Sequence, residues 1–336
     1  ILERLRTPIT ISGHQLVVTT SIGITIIPDD SVLPNILTKN ADLAMYRAKE
    51  RGRNNYQYFS EEMNTKAESR LKTENELREA LRQTQFELYY QPKVRLRDNR
   101  IIGVEALIRW HHPERGLLSP DQFIGVAEDT GVIVGIGSWV IEAACAAART
   151  LSASAGTPIQ MGVNISPRQF RDPDLIRTIR RSIRESAIAP EQLELEITET
   201  MLMEDADTVL FTIERLRELG VRVAIDDFGT GYSSLNYLKR FPIDTVKIDR
   251  SFVMEIPTNN EDMAITTAVI AMAHRLNLEV VAEGIETTDQ LKFLAEHDCE
   301  FGQGYLFSRP IPLAEIQKLL DPSVALIRPV RRKPAS

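Results

Sequence analysis

The stretch "VEALIRW", Val104–Trp110, places two charged residues, Glu105 and Arg109, inside a run with the composition of a buried β-strand. Successive side chains of a strand point to opposite faces, so these residues divide into two sets. One face carries Gly103, Glu105, Leu107 and Arg109, and the other carries Val104, Ala106 and Ile108. We expect the apolar face to pack against helices and the charged face to point into a barrel.

The same pattern recurs along the chain to residue 308. Eight runs rich in β-branched and aromatic residues are predicted to be strands: "FELYYQPKV" (Phe86–Val94), "VEALIRW" (Val104–Trp110), "MGVNIS" (Met161–Ser166), "LELEITE" (Leu193–Glu199), "VRVAIDDF" (Val221–Phe228), "TVKID" (Thr245–Asp249), "EVVAEGI" (Glu279–Ile285) and "FGQGYLFS" (Phe301–Ser308). Segments long enough for crossover helices lie between them. Alternation of strand and helix predicts parallel strands, and eight of them predict an α/β fold of the (β/α)₈ TIM-like barrel type. An open doubly wound sheet is the competing fold, but no glycine-rich GxGxxG turn follows the first strand.

The composition is typical of a globular protein with a sizeable core. The chain has 336 residues, 43% of them hydrophobic, and a net charge of -7 at pH 7, which disfavours binding to a nucleic-acid polymer. The two cysteines, Cys145 and Cys299, have no metal-binding spacing and indicate no disulfide framework, which favours a cytoplasmic location for this portion. The most apolar run, "VIVGIGSWVIEAACAAA", contains Ser138 and Glu142, so we interpret it as a loop entering a buried helix.

The chain before the barrel is organised differently. Residues 1–60 contain strand-like and helix-like segments, "HQLVVTTSIGITIIP" and "LPNILTKNADLAMYRAKERGR", but do not make a complete domain. Residues 61–84 are charged and lack Gly and Pro, which predicts a linker helix docking on the barrel. The barrel is assigned to residues 85–322, and residues 323–336 are predicted to be a flexible tail. Because the first residue is Ile1, we expect a missing upstream sensory region or membrane anchor.

Polar residues occur late in the predicted strands. They are Glu105, Asn164, Glu196, Asp226, Asp227, Lys247 and Glu283. Barrel enzymes place their chemistry at the carboxyl ends of the strands, so we expect these side chains to converge on one mouth. Neighbouring carboxylates raise one another's pKa, and a divalent cation would remove that conflict. All-oxygen ligands favour Mg²⁺ or Mn²⁺, and Asp226 and Asp227 could bridge two ions about 3.5–4 Å apart.

Two such ions would polarise a phosphodiester, and Arg109, outermost on the face of Glu105, could reach a substrate phosphate. The alternative is that the polar residues form inward salt bridges, which fits seven residues at strand ends poorly. For Glu194 and Glu279, a step earlier in their strands, the salt-bridge interpretation is preferred, with Arg222 or a similar base as partner. Arg168 remains either a substrate contact or a surface arginine.

The barrel segments resemble the EAL domain family, bacterial phosphodiesterases of cyclic di-GMP. The resemblance runs from about Leu71 to Leu320 and rests on segments in family order: "YYQPKV", "EALIRW", "VNISPRQF", "LELEITE", "IDDFGTGYSSL", "VKID", "VAEGIE" and "QGYLFSRP". It implies one metal held by Glu105, Asn164, Glu196 and Asp226, and a second held by Asp226, Asp227 and Glu283. It also implies that Lys247 orients the attacking water and that Glu283 is the general base or positions the nucleophile.

The resemblance further implies substrate contacts and a mobile loop. Gln91, Leu107 and Arg109 are the implied substrate contacts, and Gln303 supports the site. Glu199 and Glu286 resemble carboxylates that hold the loop "DDFGTGYSSL", in which Gly229 and Gly231 allow movement. The implied reaction opens one phosphodiester bond of cyclic di-GMP to give linear pGpG, in a homodimer that uses two Mg²⁺ or Mn²⁺ ions.

The upstream segments "TTSIGIT", "ADLAMYRAKERGRNN" and "YFS" resemble the carboxyl-terminal part of a GGDEF domain, the family that makes cyclic di-GMP. The GG[DE]EF signature is absent, so this chain is not expected to be the cyclase. One alternative function is a non-hydrolysing cyclic di-GMP receptor, which would not need Asp226, Asp227 and Glu283. Another is a barrel phosphodiesterase for a different ester, which would not need the implied substrate contacts.

Overall fold

The computed structural model describes residues 1–11, 14–204, 206–230 and 235–321. The chain divides into two compact units, residues 1–77 and residues 78 onward. The division falls within a long helix, Glu61–Arg82, in the region predicted to link the two parts. The predicted tail, residues 323–336, lies outside the described residues.

The first unit contains short strands and helices. They are α1 (Leu2–Leu5), β1 (Ile9–Ile11), β2 (His14–Leu16), β3 (Ile22–Ile24), α2 (Pro34–Glu50), β4 (Tyr56–Tyr58) and the start of α3 (Glu61–Arg82). Strands β3 and β4 pair in parallel, and α2 packs on both. A Cβ atom on Gly23 would lie 1.9 Å from the carbonyl O of Ala41, so only glycine lets this helix approach β3 so closely.

The second unit is built on a closed barrel. Its strands within the described residues are β5 (Phe86–Arg95), β6 (Arg100–His112), β8 (Gln160–Asn164), β9 (Leu193–Thr198), β10 (Arg222–Phe228), β11 (Thr245–Ile248), β12 (Glu279–Ala282) and β13 (Phe301–Gly302), with β7 (Gly116–Leu118) paired to β6 and β14 (Ile311–Pro312) paired to β5. Pairing of β5 with both β6 and β13 closes the ring. All the predicted strand segments contribute to the barrel, although the last forms only two ladder residues.

Strand β5 runs antiparallel to both of its neighbours, so the prediction of uniformly parallel strands is wrong for this one. Only residues 96–99 separate β5 from β6, which is too short for a crossover and long enough for a hairpin. Asn99 adopts the left-handed conformation, with φ of 56°, that such a turn favours. The turn signal "RDNR" is present in the sequence and marks the hairpin.

Helices and short 3₁₀ turns surround the barrel. They are 3₁₀ Pro120–Gln122, α4 (Ile124–Thr130), α5 (Ile133–Ala155), α6 (Pro167–Phe170), α7 (Leu175–Ser186), 3₁₀ Pro190–Gln192, α8 (Glu199–Glu204), α9 (Ala206–Glu218), α10 (Leu235–Arg240), α11 (Arg250–Met254), α12 (Asn260–Arg275), α13 (Thr288–Glu296) and α14 (Leu313–Leu319). Among the described residues, α5 is the one helix whose length and composition would suit a membrane span, and 50% of its apolar window is buried in the protein. It packs on α7 and on β5, β6 and β8.

The alternation predicted for β6 is confirmed. Val104, Ala106 and Ile108 belong to the buried apolar core, and the opposite face carries Glu105, only 7% exposed, into the polar interior of the barrel. Glu105 does not end its strand, however, because β6 continues to His112 and pairs there with β7. Its level in the barrel is set instead by its ladder partners, Gln91 on β5 and Gly162 on β8.

A charged layer fills the interior of the barrel one step before the predicted catalytic residues. Glu194, 1% exposed, accepts from Lys93 Nζ at 2.6 Å and from Thr245 Oγ1 at 2.6 Å. Arg222 pairs with both Glu194 and Glu279, which confirms the partner predicted for these carboxylates. Burial alone would raise the pKa of Glu194, but attraction to Lys93 and Arg222 holds it below its usual value. This layer is a fully paired structural network.

Lys93→Met should lower the free energy of unfolding of the barrel by about 3–5 kcal/mol at neutral pH, because it leaves the buried Glu194 carboxylate short of a partner. Tryptophan fluorescence in a denaturant titration reports this, since Trp110 and Trp139 both lie in the second unit. Because the folded pKa of Glu194 is depressed, its stabilising contribution is present above its usual pKa of 4.5 and is lost as the pH falls through the lower folded value. The difference between the parent and Lys93→Met should therefore shrink under acid conditions.

The matched control is Lys292→Met, which removes a lysine whose side chain is 75% exposed and 3.7 Å from Glu296. An exposed pair of this kind contributes about 0–1 kcal/mol. Equal losses for the two variants would contradict the assignment of the Glu194 layer as a buried stabilising network.

Candidate active site

Lys247 lies at the centre of the barrel mouth, which we define as the cluster of polar side chains from β6, β8, β9, β10, β11 and the end of β12. It is 2% exposed, and its ladder partner is Val281 on β12, two residues before Glu283. Its Nζ atom contacts carboxylate oxygens from separate strands: Glu196 at 2.5 Å, Glu283 at 2.7 Å, Asp226 at 3.0 Å and Glu105 at 3.7 Å. These residues were predicted to converge, and the structure brings them together.

The charges of this cluster perturb one another strongly. Burial alone would lower the pKa of Lys247, but the surrounding carboxylates raise it well above its usual value. Burial raises the pKa of Glu196 well above its usual value, and burial raises that of Glu283 to about 8, in each case against the attraction of Lys247. One ammonium group therefore compensates only part of the negative charge that these carboxylates would carry.

Glu105 is fixed by amide side chains as well as by Lys247. Asn164 Nδ2 donates to Glu105 Oε1 at 2.6 Å, and Gln303 Nε2 donates to Glu105 Oε2 at 2.6 Å. Gln303 Nε2 also donates to Gln91 Oε1 at 2.9 Å, and Gln91 Nε2 donates to the carbonyl O of Ser308 at 3.2 Å. Both ends of the Gln91 amide are thus bound to protein atoms, which suits a role in supporting the site, and the substrate contact of Gln91 stays a prediction.

The side chains of Asp226, Asp227 and Glu283 form a cluster of carboxylates that could hold a cation. One oxygen from each lies within 4.8 Å of the others. The Asp227 N–H donates to Asp226 Oδ1 at 3.0 Å, and Asp227 has φ of 54°, a left-handed conformation that Asp and Asn tolerate better than most residues. Burial raises the pKa of Asp227, and the neighbouring Asp226 charge adds to the shift. All-oxygen donors of this kind fit Mg²⁺ or Mn²⁺.

A cavity of about 300 Å³ opens over the cluster. It is lined by Gln91, Glu105, Leu107, Asp226, Arg250, Met254, Glu283, Gly284, Glu286, Gln303, Gly304 and Tyr305. Arg109, next on the same face of β6 after Leu107, donates from Nη1 to the carbonyl O of Ile108 at 2.9 Å, and its guanidinium lies 5.3 Å from the Tyr89 ring centroid. Burial lowers the pKa of Arg109.

The loop after β10 is anchored by one of its predicted carboxylates. Glu199, 5% exposed, accepts from the Gly229 N–H through Oε2 at 3.0 Å. Gly229 has φ of +100°, and a Cβ atom there would lie 2.8 Å from the Phe252 ring, so this position requires glycine. Gly231, the second predicted loop glycine, lies outside the described residues. Glu286 lines the cavity.

Sequence reasoning left out Gly162 and several residues of the cavity wall. A Cβ atom on Gly162 would lie 2.2 Å from Glu196 Oε1, so the absence of a side chain makes room for that carboxylate. A glycine inside a predicted strand signals such a close approach, and could have been recognised. Arg250 and Met254 lie in a short helix after a predicted strand, and Tyr305 lies in a turn within the segment predicted to be the last strand, so strand periodicity did not indicate where these side chains lie.

Arg168, predicted to be either a substrate contact or a surface arginine, binds backbone carbonyl groups of a neighbouring helix. Its Nη1 donates to the carbonyl O atoms of Glu128 at 2.9 Å and Asp129 at 3.2 Å, at the carboxyl end of α4. A cation at this end of a helix satisfies carbonyl groups that have no partner within the helix.

Residues 74–310, most of the chain and nearly all of the barrel, match the family described as the EAL domain. The chain belongs to the EAL domain family. Residues 1–55 match a second family, the diguanylate cyclase GGDEF domain. The EAL match includes all of the residues that form the cluster around Lys247.

Two named relatives align with nearly the whole chain. Cyclic di-GMP phosphodiesterase NbdA of Pseudomonas aeruginosa is 46% identical over 320 residues, which are 95% of this chain and 41% of that protein. Cyclic di-GMP phosphodiesterase PdeR of Escherichia coli is 37% identical over 320 residues, which are 95% of this chain and 48% of that protein. The chain therefore spans less than half the length of these curated relatives.

A solved structure also resembles the EAL barrel. It is the structure of the PaMucR phosphodiesterase in complex with c-di-GMP, which is 44% identical to this chain and has a TM-score of 0.70. The similarity covers 73% of this chain and 99% of that one. The fold predicted from the sequence is confirmed.

Gly162→Ala should displace the Glu196 carboxylate, because the new methyl carbon would occupy a position 2.2 Å from its oxygen. We expect the affinity for Mn²⁺, measured by calorimetry on the purified chain, to fall by roughly 10–100-fold. The control is Gly125→Ala in α4, where an added Cβ meets no heavy atom within 4 Å. Unchanged Mn²⁺ affinity in Gly162→Ala would show that Glu196 does not belong to a metal site.

Proposed function

We propose that this chain hydrolyses one phosphodiester bond of cyclic di-GMP to give linear pGpG. The observation that carries the proposal is the convergence of Asp226, Asp227 and Glu283 beside Lys247, in the mouth of an EAL barrel. Relatives aligned over 95% of the chain are named cyclic di-GMP phosphodiesterases. A barrel mouth lined with carboxylates at this density suits phosphoester hydrolysis supported by divalent cations.

The residues present fit two divalent ions, Mg²⁺ or Mn²⁺. Glu105, Asn164, Glu196 and Asp226 would hold one, and Asp226, Asp227 and Glu283 would hold the other. When bound, these ions would supply Lewis acidity and neutralise the charge that develops on the phosphate. Asn164 and Gln303 orient the Glu105 carboxylate from both of its oxygens, which keeps a ligand pair in place before any ion arrives.

The residues of the chain would position the nucleophile and its proton. Lys247 can orient an attacking water, because its ammonium is already held between the carboxylates of Glu196 and Glu283. Glu283, whose carboxylate lies 2.7 Å from Lys247 Nζ, would accept the proton of that water or hold the water in line for attack. Asp227, at the start of the loop that follows β10, would be the third catalytic residue beside Lys247 and Glu283.

Substrate recognition would involve the residues next along β5 and β6. Leu107 and Gln91 line the cavity, so they can contact the dinucleotide directly. Arg109 carries a planar fork of donors that suits a phosphate, and its stacking near Tyr89 limits the orientations it can adopt. Gln303 would hold both Gln91 and Glu105 in place, because its Nε2 donates hydrogen bonds to both side chains.

The organisation of the chain completes the proposal. We assign residues 85–322 to the catalytic barrel, residues 61–84 to a linker helix and residues 1–60 to a partial GGDEF-like region without a cyclase signature.

We also propose a homodimer, which light scattering can test, and a cytoplasmic location for the barrel. Both cysteines are free and buried, as a reducing compartment allows.

A non-hydrolysing cyclic di-GMP receptor is the second candidate. Deeply buried carboxylates around Lys247 favour catalysis, because a ligand-binding role alone would not require so much uncompensated charge in the barrel mouth. Binding of the dinucleotide without turnover in the presence of Mg²⁺ would favour the receptor.

Glu105→Gln and Asp227→Asn should each reduce turnover of cyclic di-GMP at least roughly 100-fold, because each removes an anionic ligand. Asp227→Asn should fold normally, since Asn tolerates the left-handed conformation of that position. The measurement is chromatography of the linear product formed by purified protein with Mg²⁺, repeated with a chelator. Glu296→Gln is the control, because the Glu296 side chain at the end of α13 is 60% exposed. Normal turnover by Asp227→Asn would refute the assignment of Asp227.

A further inference from the structure

Gln290 lies behind one wall of the cavity and is 3% exposed. Its side-chain Oε1 accepts from the N–H groups of Glu286 at 2.8 Å and Thr287 at 2.9 Å. Its Nε2 donates to the carbonyl O atoms of Val253 at 3.1 Å and Met254 at 3.1 Å. One buried amide therefore joins the start of α13 to the carboxyl end of α11.

The segments joined in this way carry residues of the proposed site. The turn of residues 283–286 begins at Glu283, and Gly284 and Glu286 line the cavity. Helix α11 begins at Arg250, three positions after Lys247, and contributes Arg250 and Met254 to the same cavity. The relative placement of these segments therefore sets one wall of the cavity.

The turn is packed tightly between two supports. Gly284 has φ of +72°, and a Cβ atom there would lie 2.6 Å from the Cβ of Arg250 on α11. On its other side, the Ile285 N–H donates to the carbonyl O of Gln303 at 3.1 Å, and the Ile285 carbonyl accepts from the Leu306 N–H at 2.9 Å. The loop after β13 thus holds one side of the turn by backbone hydrogen bonds, and Gln290 links the end of the turn to α11.

Local helix formation alone does not explain the choice of an amide at this position. Thr287 and Gln290 form a capping box at the start of α13, and either Glu or Gln can serve in that motif. The two donations from Nε2 to α11 are available only to Gln, because an ionised carboxylate has no donor. The amide therefore contributes a bridge between elements in addition to the cap.

We propose that Gln290 is a positioning residue of the active site, which holds the turn bearing Glu283 at its working distance from Lys247 and ties the backbone of Glu286 to that of Met254 at the cavity wall. This inference rests on the proposed function for its catalytic consequence. Partners that orient metal ligands from outside the ligand set commonly influence metal affinity or activity by roughly 10–100-fold when they are replaced.

The test compares Gln290→Glu and Gln290→Met with the parent chain. Gln290→Glu keeps the acceptor of the capping box and removes the bridge, while Gln290→Met removes both without adding charge. We expect each variant to bind Mn²⁺ at least about 10-fold more weakly by calorimetry. Hydrogen exchange of the backbone amides in residues 283–290 should become faster, because the turn loses its attachment to α11.

Gln192 provides a matched control at the opposite end of the barrel. Its Oε1 accepts from the Ala189 N–H at 3.1 Å, and its Nε2 donates to Ser152 Oγ at 2.8 Å and to the Ile159 carbonyl O at 3.1 Å. It therefore makes the same type of bridge ahead of β8 and β9. Gln192→Met should lower the melting temperature to an extent similar to Gln290→Met, while Mn²⁺ affinity and kcat/KM stay within about twofold of the parent.

The outcomes separate the two proposals. Weakened Mn²⁺ binding in both Gln290 variants, with normal binding in Gln192→Met, supports the positioning role. Parental Mn²⁺ affinity in the folded Gln290 variants, or an equal loss in Gln192→Met, would overturn it. If the parent itself fails to cleave cyclic di-GMP, the proposed function fails, while the metal-binding and exchange measurements still decide the role of Gln290.

Discussion

The constraint on which the site depends is the burial of the Lys247 ammonium among carboxylates from separate strands. An ammonium group at this depth is tolerated only with close anionic partners, and Glu196, Asp226 and Glu283 supply them within 3.0 Å. Each partner comes from a different strand end, so the closed barrel is what brings them together. The same arrangement leaves negative charge in excess, which is the physical basis for proposing that divalent cations bind in the mouth.

Charged side chains at two levels of the barrel interior have different electrostatic surroundings, and the level is set by position along the strand. Glu194 and Glu196 share one face of β9 and are two residues apart. Glu194 is satisfied by Lys93, Arg222 and Thr245, and its pKa is held below its usual value. Glu196 lies one step nearer the mouth, and its pKa is raised by burial. A layer in which the Glu194 charge is paired thus lies directly below a layer that carries excess negative charge.

The eight strand segments and the inward direction of Glu105, Glu196 and Lys247 could be predicted from the sequence, because alternation of polar and apolar residues directly encodes the two faces of a strand. The reversal of β5 was not predicted, since strand-helix alternation was extended to a connection of only four residues. Gly162 and Gln290 were also left out, because their importance comes from contacts between distant elements. The roles of the individual site residues stay predictions, and Gly231 lies outside the described residues.

Anomalous X-ray scattering from crystals soaked in Mn²⁺ tests the central account most directly, because it places the ions without reference to activity. The account predicts two peaks about 3.5–4 Å apart in the barrel mouth, with Asp226 between them and Lys247 alongside. Peaks elsewhere on the molecule, or crystals that bind Mn²⁺ without either peak beside Asp226, would contradict it.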